Sequence, residues 1–494
     1  MYLGIDLGTS GVKLLLLDDA HAVVATADAA VPQHRPQPTW SEQHPADWWA
    51  AVESAVAQLR AQVPAAWALV RGIGLSGHMH GAVVLGAQGQ VLRPAILWND
   101  GRASAECAQL EDAVPTSRQI TGNLAMPGFT APKLLWLRAH EPAVFAQIRT
   151  VLLPKDWLRL QLTGDAVSDM SDASGTLWLD VQARAWSPAM LQACGLDTSH
   201  MPALAEGSAP TGTLRSDVAR RWGLGGNVVV AAGAGDNAAS AVGVGARTAG
   251  QGFVSLGTSG VVFRVTDAFA PATERAVHAF AHALPQRWHH MSVMLSAASA
   301  FGWVTRLTGR GEEARLSDAV GTLGTTRQAQ APLFLPYLSG ERTPHNNAAA
   351  TGVFMGLRAE HDAADLAYAV MEGVGFGLLD GLNAMRAAGA GQGSASGDVG
   401  AALALVGGGA RSNPWAQLLA GALGTPLQRP QGAHAAAALG AARLAAMACG
   451  GDEAPWCQPL PADATFLPQP AQQALLAERY ARFVALYPAL QSQF

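Results

Sequence analysis

The sequence predicts an α/β protein built as two related lobes with a catalytic cleft between them. Three observations carry that expectation. The hexapeptide Leu-Gly-Thr-Ser-Gly-Val occurs twice, at Leu7–Val12 and at Leu256–Val261, about half the chain apart. Each copy lies between β-branched and aliphatic runs, so each reads as strand, tight turn, strand. At 494 residues the chain is also too long for one compact core, and two lobes of roughly 200–250 residues are expected.

Taken in order, strand-like runs at Tyr2–Ile5, Val12–Leu17, Val23–Ala27, Val70–Leu75 and Ala82–Leu85 surround one strong helix. That helix starts near Pro45 and repeats Trp48, Trp49, Val52, Val56 and Leu59 at helical spacing. His44 before it is a poor cap compared with Asp or Ser, while Pro45 suits the first turn. A three-strand meander, a helix and a further strand make an α/β unit. Residues 101–225 read as more helical and irregular, with turns at Thr121–Asn123, Thr163–Asp165 and Gly223–Gly226.

The small-residue stretch Val228–Gly245 suits close backbone packing at a lobe junction. It sets the expected lobes at 1–245 and 246–494. The second lobe repeats the logic with strands around 252–265 and 290–294, then helices, then a strand at Ala402–Val406. Ala435–Ala448 reads as a buried or half-buried helix and Ala387–Gly400 as a surface loop. The pattern leaves room for the last helix to cross back to the first lobe.

Composition excludes several classes. A formal net charge of −5 and no clustered basic face argue against a nucleic-acid partner. Lysine occurs only at Lys13, Lys133 and Lys155, and with the abundant alanine this reads as genomic base composition. Cys107, Cys194, Cys449 and Cys457 form no C-x-x-C pair and fit a reducing cytoplasm. Asp6 falls where a signal peptide would have its apolar core, and no run approaches the ~18–20 apolar residues of a membrane span. The expectation is a cytoplasmic protein without a membrane partner. Its oligomeric state stays open, a homodimer included.

Turns of Gly, Thr and Ser expose backbone N–H groups and short hydroxyls, a lining suited to a phosphate chain. Gly8, Thr9 and Ser10, with Gly257, Thr258 and Ser259, are therefore candidates to hold a nucleoside triphosphate from two sides. Asp6 can position Mg²⁺ through water or be a plain turn residue. Lys13 can reach the phosphates or lie exposed on its strand. No G-x-x-x-x-G-K-[ST] motif is present, which disfavours a P-loop enzyme.

Gly233-Ala-Gly-Asp-Asn237 sets a carboxylate in a small-residue bend. Phosphoryl transfer to an alcohol needs a carboxylate beside the accepting hydroxyl, so Asp236 can take the proton and Asn237 a neighbouring hydroxyl. An Asx-turn is the commoner use of such a pair. His78 and His80 form an H-x-H pair without further ligands at metal spacing, which favours a sugar contact over a metal. Gly407–Gly409 runs into Arg411, Ser412 and Asn413 after a strand and before a helix. Gly408 and Gly409 permit flat approach of a purine or ribose, and Asn413 can bond the base. Trp98, Asn99, Asp100 and Arg102 suit a carbohydrate through stacking and hydroxyl contacts, or form a structural turn.

Two phosphate-type turns, an Asp between them and a late glycine loop come in the order of an actin-like ATPase (ribonuclease H-like) fold. More closely, the chain resembles the FGGY carbohydrate kinases. Gly128-Phe-Thr-Ala-Pro-Lys-Leu-Leu-Trp136 looks like one signature of that family. Gly352-Val-Phe-Met-Gly-Leu357, followed by Asp365, Leu366, Ala369 and Glu372, looks like the other. Trp40–Gln43, Met79–Gly81, Leu97–Arg102, Leu153–Asp156, Ser168–Ala173 and Tyr337–Asn346 extend the likeness over essentially the whole chain.

The resemblance implies ATP- and Mg²⁺-dependent phosphorylation of D-xylulose on its terminal 5-hydroxyl. Asp236 matches the family's general base, and Met79 and His80 its substrate contact pair. Asp6 matches an acidic residue needed near metal and phosphates, while Gly257–Ser259 and Gly408–Asn413 match nucleotide positions. Two departures stand out. His44 replaces an acidic residue before the helix's proline, and His78 stands where Gln is common. A sugar kinase acting on ribulose, gluconate or glycerol is the nearer alternative. A nucleotide-dependent sugar-binding regulator or filament subunit is the farther one.

Overall fold

The computed structural model describes residues 1–309, 311–389 and 402–494. The opening aliphatic run folds as a strand, Tyr2–Leu7, antiparallel to Gly11–Leu17, which pairs in turn with Val23–Ala30. Helix Pro45–Gln62 follows, opened by Pro45 with no side-chain cap from His44. Its buried Trp48, Val52, Val56 and Leu59 join the core under this meander. The chain then re-enters the sheet as Gly72–Gly77, parallel to Tyr2–Leu7. Val229–Ala231 and Pro210–Thr213 complete that side of a seven-stranded sheet.

The second half repeats the order. Gly252–Leu256 lies antiparallel to Gly260–Thr266, which pairs with Trp288–Met294. Leu403–Val406 then runs parallel to Gly252–Leu256, with Leu427–Pro430 and Ala462–Phe466 beyond it. The repeated hexapeptide therefore marks the same hairpin in two sheets of matching topology. One expected strand has a different use: Val83–Leu85 pairs with Thr150–Leu152 in a separate ribbon instead of joining the first sheet. Three of the anticipated turns end helices, with Gly122, Gly164 and Gly223 in the left-handed conformation after Thr121, Thr163 and Trp222.

The two segments interlock. Helix Ala436–Ala448, from the second, lies on Tyr2–Leu7 and Gly72–Gly77 of the first sheet and against helix Asp236–Val244. The approach is backbone to backbone. A Cβ on Gly74 would sit 1.9 Å from the Ala441 carbonyl oxygen, and one on Gly440 would sit 1.8 Å from that of Ala239. Only a strip of Ala and Gly permits such spacing, so alanine here has a packing role.

The last helix, Pro470–Leu490, does not cross back. Its Leu476, Phe483, Leu486 and Tyr487 join the core of the second lobe with the long helix Ala363–Ala387. Ala387 closes that long helix, and residues 390–400 of the expected loop lie outside the described residues. The four cysteines are unpaired. Among the described residues no helix is long and apolar enough to cross a membrane.

Candidate active site

Parallel strands deliver ligand sites at their carboxyl ends, and both sheets do so toward one cleft. Asp6, near the end of Tyr2–Leu7, pairs across the sheet with Ser76, whose hydroxyl donates to Asp6 Oδ1 at 2.9 Å. Burial holds the Asp6 carboxyl above its ordinary range, against the pull of Ser76 and Lys13. Asp236 is the first residue of helix Asp236–Val244. Its Oδ1 accepts from the Asn237 backbone N–H at 2.8 Å and from Asn237 Nδ2 at 3.0 Å. Burial first, and the negative charge of Asp6 second, push Asp236 up to about 7.

Asp236 and Asn237 line a cavity of about 250 Å³ with Met79, His80 and Trp98. His80 has φ of 71°, an unusual backbone for a side chain of that size. It is held there because its carbonyl accepts from Lys133 Nζ at 2.8 Å and Thr130 Oγ1 at 3.1 Å. Burial lowers Lys133 to about 7 and His80 to about 3, so His80 is neutral. Its Nδ1 lies 2.8 Å from the Gly175 carbonyl, which can only accept. The ring proton is therefore on Nδ1, and Nε2 is left as an acceptor. Trp98 donates from Nε1 to Thr9 Oγ1 at 2.9 Å.

The far wall of this cavity comes from the second segment, with Ser255, Ser259 and Arg342. Sequence reasoning did not single out Arg342 or Lys133, although both fall inside the segments that carry the family likeness. The available signal for Lys133 was its being one of three lysines in the chain, and Arg342, next to Glu341, carried none.

A second cavity, of about 730 Å³, is lined by Gly257 and Thr258 of the second turn together with Gly408, Gly409 and Asn413. Helices Ala298–Leu307 and Glu313–Gly321 supply other walls. Ser412 caps helix Asn413–Leu423 by accepting from the Trp415 N–H at 3.1 Å, and Asn413 Oδ1 accepts from Arg429 Nη1 at 2.9 Å. Gly257 lines both cavities. The second turn thus stands between a smaller chamber and a larger one.

Several anticipated residues are elsewhere. Asp100 is 2% exposed, and its carboxylate is consumed by Arg102 at 2.7 Å and by the Ser41 N–H at 2.6 Å. Arg102 also pairs with Glu42 at 2.7 Å and lies 3.6 Å over the Trp40 ring. Both support the loop from below, and neither lines the small cavity; nor does Asn99. Gly8, Thr9 and Ser10 line neither cavity, Thr9 being taken up by Trp98 and by Gln43, which donates to its carbonyl at 2.7 Å. Lys13 points across the lobes, donating to the His434 carbonyl at 3.4 Å.

The N-terminal domain of the FGGY carbohydrate kinases matches residues 1–243 and the C-terminal domain residues 252–449. The chain belongs to the FGGY family of carbohydrate kinases. Among curated proteins, the xylulose kinase of Escherichia coli (strain K12) is 51% identical over 496 residues, covering 99% of each chain. That of Klebsiella pneumoniae is 50% identical over 494 residues, again covering 99% of each. The crystal structure of a xyloylose kinase from Brucella ovis superposes with a TM-score of 0.95 at 48% identity, covering 100% of both chains. This FGGY kinase accordingly has the two-domain α/β fold of its relatives.

Proposed function

We propose that this FGGY kinase transfers the γ-phosphoryl group of ATP to the 5-hydroxyl of D-xylulose in the cytoplasm, with Asp236 as the general base. The observation that carries the reading is the placement of Asp236 in a sugar-sized chamber that meets a nucleotide-sized one at Gly257. The naming of relatives about half identical over the full chain supports the choice of sugar.

In this reading D-xylulose occupies the small chamber against Met79, His80, Trp98 and Asn237, and the neutral His80 accepts from a sugar hydroxyl through Nε2. ATP lies in the larger chamber, its polyphosphate along Gly257, Thr258 and Ser259 and its adenosine toward Gly408, Gly409 and Asn413. Asn237 fixes the Asp236 carboxylate with two hydrogen bonds. The free oxygen takes the O5 proton as the O5–P bond forms and the bond to the β-phosphate oxygen breaks. Because the small chamber is walled by both segments, their approach controls how much water it holds.

The two acidic groups fit a divalent cation. The negative charge of Asp6 adds to burial in raising Asp236, and the Lys13 ammonium, which attracts Asp6, donates to the His434 carbonyl. Asp6 would hold Mg²⁺ through water, and the ion would neutralise charge on the phosphates.

A panel of D-xylulose, ribulose, gluconate and glycerol in an ADP-release assay tests the substrate. D-xylulose is expected to give the highest kcat/KM; a higher value with gluconate or glycerol overturns the assignment. The base has its own signature. Below pH of about 7 Asp236 is protonated and cannot accept, so kcat/KM should fall tenfold per pH unit on that side and level off above it. An acid limb centred near the ordinary carboxylate value of about 4 would contradict this. For Asp6→Ala the expected result is loss of turnover together with a higher Mg²⁺ requirement. An unchanged Mg²⁺ titration with unchanged kcat would remove Asp6 from the metal site.

A further inference from the structure

Behind Asp236 four charged side chains are sealed from solvent. The Lys155 ammonium lies 3.0 Å from Asp169 and 3.8 Å from Asp172 and bonds Asp156, all of them fully buried. The three carboxylates have the spacing of a cation site, and the ammonium is already the cation inside it. One cation among three acids is a costly thing to bury, and both oxygens of Asp172 lack a hydrogen-bond partner.

The cluster is wired to the base. Ser171 donates its hydroxyl proton to Asp169 Oδ2 at 2.5 Å. A hydroxyl has one proton, so this donation leaves its lone pairs free, and one accepts from the Gly235 N–H at 3.1 Å. Lys155 lies 3.0 Å from the other oxygen of that carboxylate, Asp169 Oδ1, and so anchors the acceptor that receives the Ser171 proton. Gly235 is the cap residue of the helix that begins with Asp236.

We propose that Lys155, Asp169 and Ser171 form a buried positioning relay that fixes Gly235, and through it the aim of the Asp236 carboxylate during phosphoryl transfer. The relay rests on the reading of Asp236 as the base. It makes Ser171 a positioning residue that never touches the substrates.

Lys155→Met would strand three carboxyl groups without a cation and is expected to lower the folded yield, so Ser171→Ala is the deciding variant. It removes one oxygen. The expected result is a kcat lowered roughly 10- to 100-fold with an unchanged KM for ATP. The loss should vanish in the Asp236→Asn background, where the double variant turns over no more slowly than Asp236→Asn alone. Parental kcat in Ser171→Ala overturns the relay. An equal fold-loss in both backgrounds also overturns it, because that marks a general structural role. Near-parental turnover of Asp236→Asn by itself overturns the base reading, and the relay with it.

Discussion

Replacing Asp236 by alanine is expected to lower kcat on the order of 10²–10⁴-fold, the range for loss of a general base, and to change the KM for ATP little. The split follows from the geometry. Asp236 lines the small chamber and is absent from the walls of the larger one, so its removal leaves the nucleotide site whole. In phosphoryl transfer the transition state is loose, and much of the rate comes from alignment and charge neutralisation. Residual activity in the variant is therefore expected and measures that part. ADP release at saturating D-xylulose and ATP reads the effect, and turnover within a few-fold of the parent would remove Asp236 from the mechanism.

The second large effect is on stability. Arg479, 2% exposed, pairs with Glu372 at 2.6 and 2.7 Å and donates to the carbonyls of Ala329, Ala331 and Pro332. The pair joins the last helix to the middle of the long helix Ala363–Ala387. Arg479→Ala leaves the Glu372 carboxylate without its cation and with the Tyr368 hydroxyl, at 3.1 Å, as its remaining donor, and takes the guanidinium donors from three carbonyls. A cost of about 3–5 kcal/mol is expected, as for other buried pairs broken from one side. Urea unfolding measures it. Removing both charges, in Glu372→Gln with Arg479→Met, is expected to cost less than the single change, since no buried ion is left alone. A single-variant loss below about 1 kcal/mol would show that solvent reaches the site.

What could be read in the sequence was local. The hairpins at Leu7–Val12 and Leu256–Val261 follow from turn residues between aliphatic runs, and helix Pro45–Gln62 from its tryptophan and valine spacing. The Asp236–Asn237 pair was visible because its chemistry lies in adjacent residues. The rest depended on distant partners. Asp100 and Arg102 have the composition of a sugar site, yet Ser41, Glu42 and Trp40, far back in the chain, draw them into a buried network. Lys13 sits beside a phosphate-type turn, and its destination is a carbonyl more than four hundred residues away. Arg342 enters the small chamber from the opposite segment. Apart from Arg443, helix Ala436–Ala448 is apolar on every side, so its pattern announces burial without naming the surface that buries it.

That helix ties the order of synthesis to the order of folding. The strands Tyr2–Leu7 and Gly72–Gly77 leave the ribosome early, but the segment that roofs them is translated only near residue 440. At ~5–20 residues per second the interval is roughly tens of seconds. Throughout it a nascent chain carries a sheet face of glycine and leucine with nothing of its own to cover it, which makes the growing polypeptide a natural client for chaperones. The same interlock means that a gene cut between the two halves would yield fragments that must find each other before either is complete.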